Sequence, residues 1–308
     1  MRILSLVFLV AITVLSQSLA DESSQAKGHK VLGADKGKVA IVSPQGKVEW
    51  EVPNRSQVHD ITRLANGNIM FQSGPATVVE VAPDKSTVWS YTSKPKAPYS
   101  GPIEVHAFQR LDSGLTMIAE TGNKRLIEVD RDGKIAREIA LQIDNPHPHR
   151  DTRLARKLPN GHYLVCHEAD GVVREYDGDG KVVWSYALDL AGRPPKSGHD
   201  GHGTEVFGAL RKPNGNTLIA TGNGNRVIEV NPNHEIVWSV NHDDLPGIRL
   251  FWVTSLQLLP NGNIVFGNCH AGPDNPQLIE VTPDKKVAWT FKNHEIFGND
   301  LAAATVIE

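Results

Sequence analysis

The chain has 308 residues, with 32 Lys and Arg set against 35 Asp and Glu and a formal net charge of −3. That balance, without a basic stripe, argues against a nucleic-acid partner. Two cysteines, Cys166 and Cys269, exclude a disulfide-stapled scaffold.

The first segment in the chain reads as a targeting signal. Arg2 precedes an apolar run from Ile3 to Leu15, and Ser18-Leu19-Ala20 offers a small-x-small cleavage site ahead of Asp21. The run is shorter than the ~20 apolar residues of a membrane span, and no later stretch approaches that length. The expectation is a signal peptide over residues 1–20, a single domain over 21–308, no transmembrane segment after cleavage, and a secreted or periplasmic location.

Residues 30–52 read as three alternating strands, the last of which includes Trp50. Five repeats follow. Each opens with an apolar run into a tight turn, whose glycines are Gly67, Gly114, Gly161, Gly215 and Gly262. Asn-Gly between two β-type runs predicts a type I′ hairpin, in which both central residues need φ > 0. Each opening is followed by a strand, a turn rich in Pro, Asp, Asn or Gly, and a last strand. Trp89, Trp184, Trp238 and Trp289 recur at one register of that last strand, with Arg137 in their place in one copy. An aromatic at a fixed place in each repeat predicts packing between repeats. Four strands in a period of ~40–50 residues are the signature of a propeller blade. No segment sustains the 3.6-residue apolar period of a helical solenoid.

The first blade lacks its opening strand, and residues 299–308 fall where one would begin. The C-terminal strand is therefore predicted to complete the N-terminal blade, which removes the exposed sheet edges. The fold class is all-β: a six-bladed β-propeller of four-stranded antiparallel blades, closed by its own terminus.

Turns in a four-stranded meander alternate ends. The two short, regular turns of each repeat share one face, and the variable loops share the other, where function is expected. All of the 13 histidines except His29, His162 and His234 map to the variable face or to strand ends pointing at it. His59, His106 and Arg153 hold the same place ahead of their turn glycines, on the strand that lines the central channel. Asp60, His149, Asp151, His167, His202, Glu205, Trp252 and His270 are candidate binding residues around them. Three readings stay open for this cluster: a wet polar channel mouth, a site for an anionic small molecule or glycan, or catalysis by imidazole as nucleophile or proton shuttle.

Cys166-His167 and Cys269-His270 stand at strand ends, where adjacent side chains point to opposite faces. No CxxC or HExxH spacing is present, so no structural zinc site is expected and no metal ligands are assigned, while a loosely organised His/Asp/Glu site stays open. A GxSxG elbow and a phosphate loop are also missing; Gly222-Asn223-Gly224 leads into a strand, not a helix.

The phrases LPNGNIVFGN (259–268), KPNGNTLIATGNGNRVIEVNPNHEIVWSV (212–240) and DGDGKVVWSY (177–186) resemble the PQQ-like propeller repeat superfamily. VHDITRLANGN (58–68) is similar to the His-Asp strand opening of its arylsulfotransferase-like six-bladed members. That resemblance implies sulfuryl transfer through a histidine, with His59 or His106 as candidate nucleophile or sulfate ligand and Arg153 stabilising charge. The superfamily's quinone-dependent dehydrogenases use eight blades and a vicinal disulfide, neither of which this sequence has, so no bound cofactor is expected. The leading expectation is a monomeric propeller that takes a small-molecule, glycan or protein ligand at its mouth. Sulfuryl transfer is the alternative.

Overall fold

The structure is a computed structural model that describes residues 28–188 and 206–307. The expected signal segment lies outside them, as do His202 and Glu205. The described residues form six four-stranded antiparallel sheets, and none of their helices is long and apolar enough to cross a membrane.

Blade 1 contains β1 (Lys30–Asp35), β2 (Lys38–Val42) and β3 (Val48–Pro53); blade 2 contains β4 (Ile61–Arg63), β5 (Ile69–Gly74), β6 (Thr77–Val81) and β7 (Thr87–Thr92). Blade 3 comprises β8 (Glu104–Arg110), β9 (Thr116–Thr121), β10 (Arg125–Val129) and β11 (Ile135–Ala140). Blade 4 comprises β12 (Ala155–Lys157), β13 (Tyr163–His167), β14 (Val172–Tyr176) and β15 (Val182–Ala187). In blade 5 are β16 (Gly208–Arg211), β17 (Thr217–Ala220), β18 (Val227–Val230) and β19 (Ile236–Val240), and in blade 6 β20 (Trp252–Leu258), β21 (Ile264–Cys269), β22 (Leu278–Val281) and β23 (Val287–Phe291). The last strand, β24 (Ala303–Ile307), returns to pair antiparallel with β1, from Lys30 opposite Ile307 to Ala34 opposite Ala303. The ring closes through the C-terminal strand, as the missing first strand predicted.

The hairpin turns keep the predicted place but not the predicted type. Gly67 N donates to Leu64 O, and Leu64 N to Asn68 O. Only the glycine takes positive φ: +85° at Gly67, with +84° to +87° at the four equivalent glycines. This is a type I turn closed by a bulge glycine, not a type I′ turn. Asn66 earns its place differently, because its Oδ1 accepts the Asn68 N–H and caps the turn.

Blades are pegged to one another by the recurring tryptophans. Trp50 Nε1 donates to Pro83 O, Trp89 to Arg131 O and Trp238 to Pro283 O; each acceptor is a turn carbonyl of the next blade. Arg137 stands in for the missing tryptophan and donates to Gly178 O in the same way. Opposite each peg on the neighbouring strand lies a glutamate: Glu80, Glu128, Glu175, Glu229 and Glu280 pair across from Trp89, Arg137, Trp184, Trp238 and Trp289. A buried carboxylate needs partners. Basic residues of the following blade supply them: Arg110 for Glu80, Lys157 for Glu128 and Arg211 for Glu175. The Arg110 guanidinium also lies 4.9 Å from the Trp89 ring, where the aromatic face attracts it.

Candidate functional site

The register that carries His59, His106 and Arg153 continues as Phe207, which packs beside Arg153, and as Thr254, which a bulge in β20 turns against Gly267. His106 occupies a bulge in β8, where the pairing with β9 slips between Val105 and Ala107. A bulge re-aims a side chain that a regular strand would carry elsewhere.

Arg153 is fully buried and forms an ion pair with equally buried Glu168 through its Nε. Its outer nitrogens reach three imidazoles: Nη1 lies 3.3 Å from His59 Nδ1 and 3.5 Å from His106 Nδ1, and Nη2 lies 3.3 Å from His149 Nε2. Guanidinium can only donate, so His59 accepts at Nδ1 and His149 accepts at Nε2. The His149 proton therefore sits on Nδ1, which donates to Glu104 Oε2 at 2.6 Å. The ring centroids of His59 and His106 are 4.2 Å apart, and those of His106 and His149 are 5.1 Å apart. Phe207 and Trp252 flank the other side of Arg153, at 5.7 and 5.9 Å from the guanidinium carbon. One half of the mouth is polar and the other aromatic.

His106 faces two acceptors, with Nδ1 2.9 Å from Thr152 O and Nε2 2.9 Å from Glu104 Oε2. The geometry asks for a proton on each nitrogen. Burial, reinforced by the charge of Arg153, instead pushes His106 down to about 4, against the pull of Glu104. Burial also raises Glu104, but the hydrogen bonds from His106 and His149 outweigh it and hold the carboxyl well below its usual range.

These groups open onto a cavity of about 420 Å³ lined by Arg55, Ser56, Gln57, His59, Pro75, Glu104, Val105, His106 and His149. Its size falls in the range of small-molecule sites. A narrower space of about 140 Å³ continues into the channel past His59, Asp60 and Arg156.

Three candidates turn out to hold the scaffold. Asp60 takes both Arg156 amines at 2.8 Å and the Phe108 N–H at 3.1 Å. Asp151 accepts from His147 N and Gly122 N, tying two loops together. His167 is buried behind the wall, between Asp151 O and the Tyr176 hydroxyl. The composition of strand ends did not distinguish such groups from cavity residues. Conversely, Glu104 and Glu168 were missed. Glu104 stands two residues before His106 in a strand, so both belong to one face, and that spacing was the available signal.

Glu104, His106 and His149 place ligand-type atoms within 4.8 Å of one another. For His149 to ligate through Nδ1, its proton would move to Nε2, donor against donor with Arg153. That clash with Arg153 disfavours a cation there.

The two Cys-His pairs behave differently. Cys166 points into the core between blades and His167 to Tyr176, as strand alternation requires. His270 leaves the strand with φ +59°, and that left-handed turn brings its ring to the same side as Cys269. The expectation that alternation separates each pair therefore fails for this one. Both cysteines are free thiols. His270 stacks on Trp252 with centroids 5.0 Å apart and planes at 10°.

No protein-family model matches the chain, and no curated protein matches it. Solved structures do. A protein of unknown function from Bacteroides caccae superposes with a TM-score of 0.75 at 23% identity, covering 91% of this chain and 99% of that one. A catalytically inactive histidine-to-alanine variant of virginiamycin B lyase from Staphylococcus aureus, with quinupristin, gives 0.56 at 15% identity over 90% of this chain and 88% of that one. The WD40 β-propeller domain of Doa1 gives 0.56 at 16% identity, covering 77% and 71%. At these identities the likeness defines the class: this protein is a β-propeller, with six blades of its own.

Proposed function

We propose that the protein is an exported binding propeller whose mouth cavity takes a small, neutral, hydroxyl-rich ligand of the carbohydrate type. The observation that supports this is the preformed cavity of about 420 Å³ in which Glu104, His149 and His59 converge. Arg153 spends its charge on Glu168 and orients the three imidazoles. Glu104 adds an ionised acceptor at the cavity wall. A carboxylate beside imidazole edges suits sugar hydroxyls, which donate and accept at once.

The resemblance to arylsulfotransferase-like propellers supports a second reading, sulfuryl transfer with His59 as nucleophile. Glu104 weighs against it, since a carboxylate facing the pocket repels a sulfate where such chemistry needs positive charge.

A panel of soluble oligosaccharides, titrated calorimetrically, tests the first reading. Glu104→Ala and His149→Ala should each weaken binding at least tenfold, while the distant Lys285→Ala leaves it unchanged. The proposal fails if no member of the panel binds, or if both cavity variants bind like the parent. Incubation with p-nitrophenyl sulfate and a phenol acceptor tests the second reading, which requires a sulfuryl adduct on the intact mass that His59→Ala abolishes.

A further inference from the structure

At the rim of the same face, on the far side of Trp252 in the chain of contacts from Arg153, three residues from two loops come together. Cys269 ends β21, His270 follows it, and Asp300 belongs to the connection that leads into the closing strand β24. Their ligand-type atoms all lie within 4.8 Å of one another, with His270 Nδ1 and Asp300 Oδ1 already 2.9 Å apart.

We infer that Cys269, His270 and Asp300 form a binding site for a divalent transition-metal ion of the zinc type.

Donor chemistry, position and rigidity each support this. A thiolate, an imidazole and a carboxylate are a donor set that zinc accepts in sites with three protein ligands and an open fourth position. Tetrahedral bonds of about 2.0–2.3 Å place ligand atoms about 3.5 Å apart. The atoms already lie within 4.8 Å of one another, and Asp300, the most exposed of the three at 59% of its side chain, has room to adjust. Cys269 and His270 are held in place. His270 N donates to Asn299 O, Gly272 N to Asn299 Oδ1, and the Cys269 thiol to Asn299 O at 3.6 Å. The ring of His270 lies flat on Trp252. The positive φ at His270 is a conformation that non-glycine residues adopt at a cost, and here it turns the imidazole toward the sulfur. Asp35 accepts the Asp300 N–H at 2.9 Å, which adds a second carboxylate beside the site and favours a cation there.

Binding exchanges the thiol proton for the metal: the S–H bond is lost to solvent as H⁺ and an S–metal bond forms, with no change of oxidation state. A thiol ligates only as the thiolate, so the metal must displace its proton and affinity falls as pH falls. The ion would tie the end of β21 to the segment that enters β24. Metal binding is thereby coupled to closure of the ring.

Full-length protein kept reduced with a phosphine and stripped with a chelator is titrated with Co²⁺ and, separately, with Zn²⁺. The expected result is one Co²⁺ per chain with a thiolate-to-cobalt charge-transfer band in the near ultraviolet. Zn²⁺ should displace the cobalt and raise the melting temperature. Cys269→Ser should remove the band, and Asp300→Asn, at an exposed position, should weaken binding at least tenfold without affecting folding. His149→Ala should leave all of this intact. A titration without a thiolate band, or a band that survives Cys269→Ser, overturns the inference. So does binding that His149→Ala abolishes and Asp300→Asn does not touch, which would move the ion to the cavity.

Discussion

His167 sits out of solvent behind the cavity wall, its Nδ1 donating to Asp151 O at 2.9 Å and its Nε2 accepting from the Tyr176 hydroxyl at 2.8 Å. Both nitrogens are satisfied in the neutral ring. Burial pushes its pKa down to about 4, with Asp151 O pulling weakly the other way. The unfolded chain takes up this proton near 6.5, so between pH 6.5 and 4 the unfolded state binds more protons than the folded one. The stabilisation is complete above about pH 6.5 and disappears as pH falls toward 4, a loss of up to about 3 kcal/mol. His167→Gln, which cannot titrate, should flatten the slope of unfolding free energy against pH in urea melts run between pH 7 and 4. A variant slope equal to the parent's would refute this account. From residue types alone His167 looked like a mouth residue. Its role was invisible because the two groups that satisfy it, Asp151 O and Tyr176, are contacts of the folded chain.

Among the elements, the outermost strand of each blade shows how far pattern carries. The tryptophan at one register of β7, β15, β19 and β23 is a packing signal readable along the chain, and its meaning held. The acceptor was not readable, because Trp89 bonds to Arg131 O, 42 residues away. The glutamates across from these pegs carried no expectation at all, since an alternating strand leaves the face of a charged residue undecided until its neighbours are known. Trp89 is 6% exposed, whereas Arg137 is exposed and makes polar contacts only, donating to Gly178 O and lying against the Tyr163 hydroxyl. Trp89→Ala should therefore cost about 3–5 kcal/mol, and Arg137→Ala less than about 1 kcal/mol. Chemical denaturation of the two variants checks the contrast; equal losses would mean that the pegs are not what locks the blades.

For the whole molecule, closure is the decisive feature. β24 covers the edge of β1 along its length and brings Ala303, Ala304 and Val306 into the cores at the seam. Deleting residues 303–308 would expose the β1 edge, with its buried Val31 and Leu32, the kind of edge that templates aggregation. The truncated chain should lose its single cooperative thermal transition and elute as aggregate by size exclusion. A monomer melting within a few degrees of the parent would contradict this.

The repeat, the number of blades and the terminal closure were determined by the sequence itself. Local turn chemistry and alternation act within each copy of about 40–50 residues, and a missing strand at one end has only one partner to find. His59, His106 and Arg153 were also legible as a ring, because equal positions in successive blades must meet at the axis. Tertiary structure alone decided the rest. The bulge that aims His106, the pairing of Arg153 with Glu168, the capture of Glu104 by His106 and His149, and the turn at His270 depend on contacts and backbone turns of the folded chain. No periodic pattern constrains them, and burial and partner geometry, which set each group's protonation and direction, exist only once the ring has closed.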